Sequence, residues 1–225
     1  DYILVIDRSG STGGIVPGGN TSILDTSKEA CQAVLDLLDP ADRVGVIAFD
    51  HKPDEVCHLT NADNHGKVHV GNAIWGITTG GSTAFLPALE SAASLLGKEA
   101  GRKKVIVFFT DGEDGGPSPI QFAQGLSAQG VTLFVGGLGV SNTGEILLEA
   151  MAGANFKSLN NASEVTAFFA SAQAQAASAV VTNSQLRLTP VNFATIMNFE
   201  LVTRGGQPNY VPADNTGKLV PLGDI

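Results

Sequence analysis

Apolar and polar positions fall into blocks along this chain, and the period of the pattern changes from block to block. Residues 2–6 (YILVI) and 103–110 (KKVIVFFT) hold apolar runs with no alternation. Unbroken apolar runs of this length fit strands buried on both faces, as in a parallel sheet covered by helices. RVGVIAF (43–49), VTLFVG (131–136) and NFKSL (155–159) read as further strands. DEVCHLT (54–60) follows the second strand after only a short turn at 51–53. That leaves no room for a crossover helix, so this strand is expected to run antiparallel at the sheet edge.

Helical spacing fills the intervals. Ile23, Ser27, Ala30, Val34 and Leu38 mark one helix face, and the helix should stop before Pro40. A less regular helix is predicted over 64–77, and a third over 85–96 with Pro87 in its first turn. Others are predicted over 120–129 and 145–151, and an Ala-rich last helix opens at Ser163, with Glu164 behind it, and runs to about 179. Strands alternating with helices predict an α/β fold, a doubly wound and mostly parallel six-stranded sheet with helices on both faces. Such winding sets strands one and four side by side where the strand order reverses, and crevices form there at the carboxyl ends of the strands.

From about residue 180 the character changes. SQLRLTPV alternates polar and apolar positions, FATIMNFELVT does so less strictly, and GKLVPL ends the chain, with turn signals at Gly205-Gly206, Pro208 and Gly217 between them. The expected division is an α/β domain over 1–179 and a β segment over 180–225 that forms part of a flanking β-sandwich or sheet. About 45 residues are too few for an independent core, so this segment should pack on the α/β domain or pair with strands from elsewhere. It is expected near the start of strand one, on the side away from the crevice, as an incomplete sheet. The chain starts with Asp1 and enters a strand at once, which suggests an excerpt from a longer protein.

Candidate chemistry sits at the strand exits. The first apolar run ends at Asp7 and continues as DRSGS, so that Asp7, Ser9 and Ser11 fall at i, i+2 and i+4. In an extended loop this spacing turns three short oxygen-bearing side chains toward one side. One carboxylate and two hydroxyls make a poor catalytic base but a good partial shell for a hard cation. Mg²⁺ wants near-octahedral oxygen geometry and usually keeps waters or an outside ligand. The second apolar run ends in TDGED, which puts Asp111 at another strand exit, and between the two lies TTGGSTAF with Thr83.

This set, in this order, resembles the metal-ion-dependent adhesion site of von Willebrand factor A domains: Asp-x-Ser-x-Ser, a Thr after a Gly pair, then Thr-Asp-Gly. The helix after Thr83, with Ala88 and Leu89, and the stretch from VTLFVGGLG through EILLEAMAGANFKSL are also similar to the family, over roughly residues 1–178. Ser82 stands between the Gly pair and Thr83, where the tighter form has Gly-Gly-Thr. Either hydroxyl could therefore serve, and the helix register favours Thr83. The resemblance implies a binding module rather than an enzyme. Ser9, Ser11 and Thr83 would bond a Mg²⁺ directly (Mn²⁺ or Ca²⁺ being possible), and Asp7 and Asp111 would hold it through waters. A protein partner would supply a Glu or Asp carboxylate as the sixth ligand. Alternatives are an accessory subunit of a metal-inserting or AAA+ machine, and a metal-assisted phosphohydrolase acting through Asp7. The phosphohydrolase reading lacks a second Asp in Asp7-x-Ser9 and a Lys to stabilise a phosphorylated Asp7.

Composition narrows the partners. A formal charge of −9 argues against a nucleic-acid groove, and no apolar run approaches the ~20 residues that span a bilayer. Cys31 and Cys57 lack metal-ligand spacing and read as small buried hydrophobes. His51, His58, His65 and His69 include one i, i+4 pair but no third ligand, so they read as surface histidines rather than a zinc site. The GGIVPGG loop lacks the GK[ST] ending of a phosphate-binding loop and is expected to form a flexible rim. Arg8 is expected to point into solvent, Glu113 and Asp114 to be loop polar groups, and Trp75 to be core or a loop anchor. Asn20 and Asn161 open glycosylation sequons that matter only in a protein secreted by a eukaryote.

Overall fold

A computed structural model describes residues 1–97 and 101–178, together with four short strands beyond them. The chain divides into two compact units, Asp1–Ala176 and Ala177–Ile225. In the first unit β1 (Tyr2–Asp7), β2 (Arg43–Phe49), β3 (Pro53–Asn61), β4 (Lys104–Thr110), β5 (Val131–Leu138) and β6 (Phe156–Leu159) form one sheet. Its order is β3-β2-β1-β4-β5-β6, and all neighbours are parallel except the β2–β3 pair. Strand β1 is therefore central, with Ile6 beside both Ala48 and Phe109.

Successive residues of β1 serve opposite faces, which is why the run can be apolar throughout. Tyr2, Leu4 and Ile6 join the core beneath α1 (Ile23–Leu37), α2 (Asn64–Trp75) and α6 (Ala162–Ser178). Ile3 and Val5 join the core beneath α3 (Phe85–Leu96), α4 (Ile120–Ala128) and α5 (Asn142–Ala152). Ile3 through Ile6 are wholly excluded from solvent. On the second face Phe49, Phe85 and Phe108 stack as a trio, with ring centroids 5.0–6.0 Å apart. Phe49 and Phe108 lie near the ends of β2 and β4, and Phe85 opens α3, so the trio gives the loops above it a rigid floor.

Local signals account for most boundaries. Ser22 caps α1 by accepting the Asp25 N–H, and Asp63 caps α2 by accepting the Gly66 N–H. Helix α5 starts three residues earlier than its apolar spacing predicts, because Ser141 accepts the Gly144 N–H and nucleates a polar first turn. Strand β5 runs past Gly136 to Leu138 because β6 pairs with Val135 through Leu138. Trp75 is neither core nor loop anchor: it ends α2 about half exposed, its ring 5.8 Å from the Lys28 ammonium. Cys31 and Cys57 are buried free thiols, and burial pushes the Cys31 thiol well above its usual range.

Gly66 marks the tightest contact between α2 and the sheet. A Cβ there would stand 1.8 Å from the backbone oxygen of Asn61, at the end of β3. Because the obstacle is backbone, Gly66→Ala should cost about 3 kcal/mol. In urea this would appear as a lowered midpoint with an unchanged slope.

In the second unit, β7 (Gln185–Leu186) pairs antiparallel with β10 (Val220–Pro221), and β8 (Asn198–Leu201) pairs antiparallel with β9 (Asn209–Pro212). Strand β9 falls in a stretch read from the sequence as turns. The rest of the strands expected over 184–191, 193–203 and 217–222 lies outside the described residues, as does the expected placement of this segment relative to the crevice. Among the described residues no helix is long and apolar enough to cross a membrane.

Candidate metal site at the sheet crossover

Five strand-exit and loop residues converge where β1 and β4 end. Asp7 is the last residue of β1 and is fully buried. Its Oδ1 accepts the Ser9 N–H at 2.7 Å, and its Oδ2 accepts the hydroxyl of Thr110, the last residue of β4, at 2.5 Å. The Ser9 and Ser11 hydroxyls lie 3.1 Å apart, and Ser11 donates to Asp111 Oδ1 at 3.0 Å. A short 3-10 turn, Gly10–Gly13, produces this crowding, tightened by Thr12 donating through both N–H and hydroxyl to the Ser9 carbonyl. Thr83 faces the same space. A Cβ placed on Gly112 would be 3.2 Å from Thr83 Oγ1 and 3.7 Å from Asp7 Oδ2. Ser82 is exposed while Thr83 is partly buried, so the hydroxyl turned toward Asp7 is that of Thr83.

Three loops are sewn together around this point. The Gly10 N–H donates to Gly81 O at 2.9 Å, and the Gly80 N–H donates to Arg8 O at 2.6 Å. Asp114 Oδ1 accepts the N–H groups of Phe85 and Gly116, both at 3.0 Å, and so caps α3 from the neighbouring loop. Asp114 is thus a structural acceptor, while Glu113 is exposed. The GGIVPGG loop is tethered rather than a free rim. Val16 is buried in the core, Val16 and Thr21 are joined by a backbone hydrogen bond, and Ile15 pairs with Ser22. Ile15 projects, at 59% exposure, and Pro17, Gly18 and Gly19 are exposed as well.

Arg8 does not point into solvent. It turns back to Asp50 and Asp54, at 3.4 Å from each, with its Nε buried and without a hydrogen-bond partner among the described residues. Asp50, which sequence reading passed over, is nearly inaccessible at the exit of β2. A signal existed: like Asp7 and Asp111, it is an Asp ending an apolar strand. Thr110 likewise could have been flagged as a hydroxyl that a buried strand must satisfy. The histidines form no cluster: His65 and His69 are exposed, and among the described residues no three His, Cys, Asp or Glu side chains converge as metal ligands. Asn161 is engaged in capping α6 through the Glu164 N–H.

The electrostatics follow from burial. Removal from water pushes the Asp111 carboxyl up to about 6, and the nearby Asp7 charge pushes the same way. Burial also raises Asp7, against the opposing hydrogen bonds from Ser9 and Thr110. Two carboxylates that disfavour each other's ionisation beside three hydroxyls suit a hard divalent cation, which would reward both negative charges. Both Asp7 oxygens already accept protein donors, which suits contact through water rather than direct bonding. The residues present therefore fit such an ion.

Comparisons with known proteins bear on the fold. Residues 2–113 match the family model for the von Willebrand factor type A domain. No curated protein matches the chain in sequence. Among solved structures, a von Willebrand factor type A protein from Catenulispora acidiphila is 21% identical with a TM-score of 0.66, covering 96% of this chain and 52% of its own length. The corresponding domain of the type V pili tip protein Mfa5 from Porphyromonas gingivalis gives 0.69 at 14% identity, covering 82% and 97%. Proximal thread matrix protein 1 from the mussel byssus, solved with a zinc-occupied MIDAS motif, gives 0.64 at 22% identity, covering 77% and 46%. The chain thus spans about half the length of the mussel and Catenulispora proteins it matches. With a family model matching residues 2–113 and the same fold in solved domains of that name, this chain contains a von Willebrand factor type A domain.

Proposed function

We propose that the domain is a divalent-cation-dependent protein-binding module that captures a Glu or Asp carboxylate of a partner at a Mg²⁺ held by Asp7, Ser9, Ser11, Thr83 and Asp111. The observation that carries this reading is the convergence of short oxygen side chains from the β1 and β4 exits and the α3 loop on one space at the sheet crossover. The zinc-occupied motif of the mussel protein supports an ion at such a place. With neutral hydroxyls as the direct protein ligands, the bound ion keeps much of its positive charge and supplies an electrophilic contact for an anionic outside ligand. Asp7 orients Ser9 through the Ser9 N–H and is itself held by Thr110, so it is poorly placed to act as a nucleophile.

Titration calorimetry with Mg²⁺ and Mn²⁺ tests the site, and no heat at millimolar ion would sink it. At a hundredfold excess over Kd the ion should stabilise the fold by about 2.7 kcal/mol, which for a domain of this size raises Tm by about 5–10 °C. Asp7→Ala should abolish that rise. Generic phosphate esters should be hydrolysed only at background with metal present. Turnover that disappears in Asp7→Asn would instead support the phosphohydrolase reading.

A further inference from the structure

Asp50 touches none of the five proposed ligands, yet the backbone on both sides of Thr83 hangs from it. Its Oδ2 accepts the Gly81 N–H at 3.3 Å, two residues before Thr83, and its carbonyl accepts the Ala84 N–H at 2.9 Å, one residue after. Its Oδ1 accepts the Lys52 N–H at 3.1 Å and lies 2.9 Å from His51 Nδ1. Arg8, the residue between Asp7 and Ser9, pairs with Asp50 Oδ2 at 3.4 Å, and the Arg8 carbonyl accepts the Gly80 N–H. Gly80 leaves the room this needs: a Cβ there would come within 2.4 Å of Asp50 Oδ2.

We infer that Asp50, clamped by Arg8, is a positioning residue that sets where the Thr83 hydroxyl stands relative to Asp7 and Ser9. The inference rests on the metal-site reading above. Burial pulls the Asp50 carboxyl up, but the Lys52 and Gly81 N–H groups, Arg8 and His51 together hold it below the usual carboxylate range. It is therefore an anion held by four protein partners. Asp50 does for Thr83 what outer hydrogen-bond partners do for directly bound metal ligands, whose loss commonly weakens metal binding 10–100-fold. The x position of the Asp-x-Ser motif thereby gains a role. Arg8 joins the loop after β1 to the loop before α3 through a charge that neither loop carries alone.

The test is a double-mutant cycle on Mn²⁺ affinity, measured by electron paramagnetic resonance of the free ion. Asp50→Asn keeps the shape and one acceptor but loses the charge facing Arg8. It should weaken Mn²⁺ about tenfold in the otherwise unsubstituted protein and not at all in a Thr83→Ala background, because the hydroxyl it positions is already gone. Arg8→Gln should reproduce the loss and supplies the cycle if Asp50→Asn fails to fold. Undiminished affinity in the folded Asp50→Asn or Arg8→Gln protein, or an equal tenfold loss with and without Thr83, would overturn the positioning role alone. Absence of Mn²⁺ binding by the unsubstituted protein would overturn the metal site itself and this inference with it.

Discussion

Binding of this domain to the proposed protein partner is expected to fall by at least about 100-fold when a chelator removes the proposed divalent ion. The magnitude follows from what the ion separates. Without it, an incoming carboxylate meets Asp7 and Asp111, two acids whose ionisation the site already disfavours. With it, on the proposed reading, the same carboxylate would complete the shell of a cation whose direct protein ligands are neutral. Losing one member of a desolvated charge pair costs about 2–5 kcal/mol, and like-charge repulsion replaces the lost attraction. Neutralising one acidic residue of the partner, Glu→Gln or Asp→Asn, should give a loss of the same order with metal present. Surface plasmon resonance with and without EDTA measures both. Affinity indifferent to EDTA would mean that another face of the domain carries the partner.

Asp111→Asn should separate stability from binding. In the metal-free protein the folded-state pKa of Asp111, about 6, lies above its unfolded value. The folded state therefore takes up a proton more readily, and the carboxylate costs stability at pH values above that range. Stability from this group is greatest near pH 4 and declines as the pH rises through about 6. Asp111→Asn removes the charge but keeps an oxygen to accept from Ser11 Oγ. It should stabilise the metal-free domain at pH 7–8 by about 1 kcal/mol, a figure reduced for the partial exposure of the group. The advantage should vanish near pH 4. The same substitution should abolish the Mg²⁺-dependent rise in Tm, so that the variant is the more stable protein without metal and the less stable one with it. Thermal melts at pH 4, 6 and 8, each with and without Mg²⁺, reveal the crossing. A variant less stable than the parent at pH 8 without metal would contradict the electrostatics of the pair.

Much of this was legible in the residues because burial writes strongly on sequence. Ile3 to Ile6 and Val105 to Phe109 are unbroken apolar runs since each strand is covered on both sides, and the short 51–53 turn forces β3 to reverse. The proposed ligands were named from their order along the chain: Asp7 ends β1, Asp111 follows β4, and Ser9, Ser11 and Thr83 lie in the loops beside them. What stayed hidden acts through partners distant in sequence. Arg8 reads as an exposed charge until Asp50, more than forty residues on, is brought beside it by the β1–β2 pairing. Asp114 caps a helix that begins before it in the chain, which no local capping pattern reveals. Trp75 misleads because the cation beside it, Lys28, belongs to another helix.

The central place of β1 bears on how the chain acquires its shape during synthesis. This strand emerges first among the six, yet one of its two neighbours, β4, begins at Lys104. At about 5–20 residues per second, roughly a hundred residues pass the ribosome in 5–20 s. For that interval a strand buried along its whole length in the finished fold has at best a half-sheet to lean on. The same delay holds for the loops proposed to hold the ion, because Asp111 follows β4. On the proposed reading, a divalent cation would therefore not template the early steps and would only lock a sheet already closed. Variants that slow β4 docking should expose β1 to chaperones or to aggregation whatever the metal concentration in the cell.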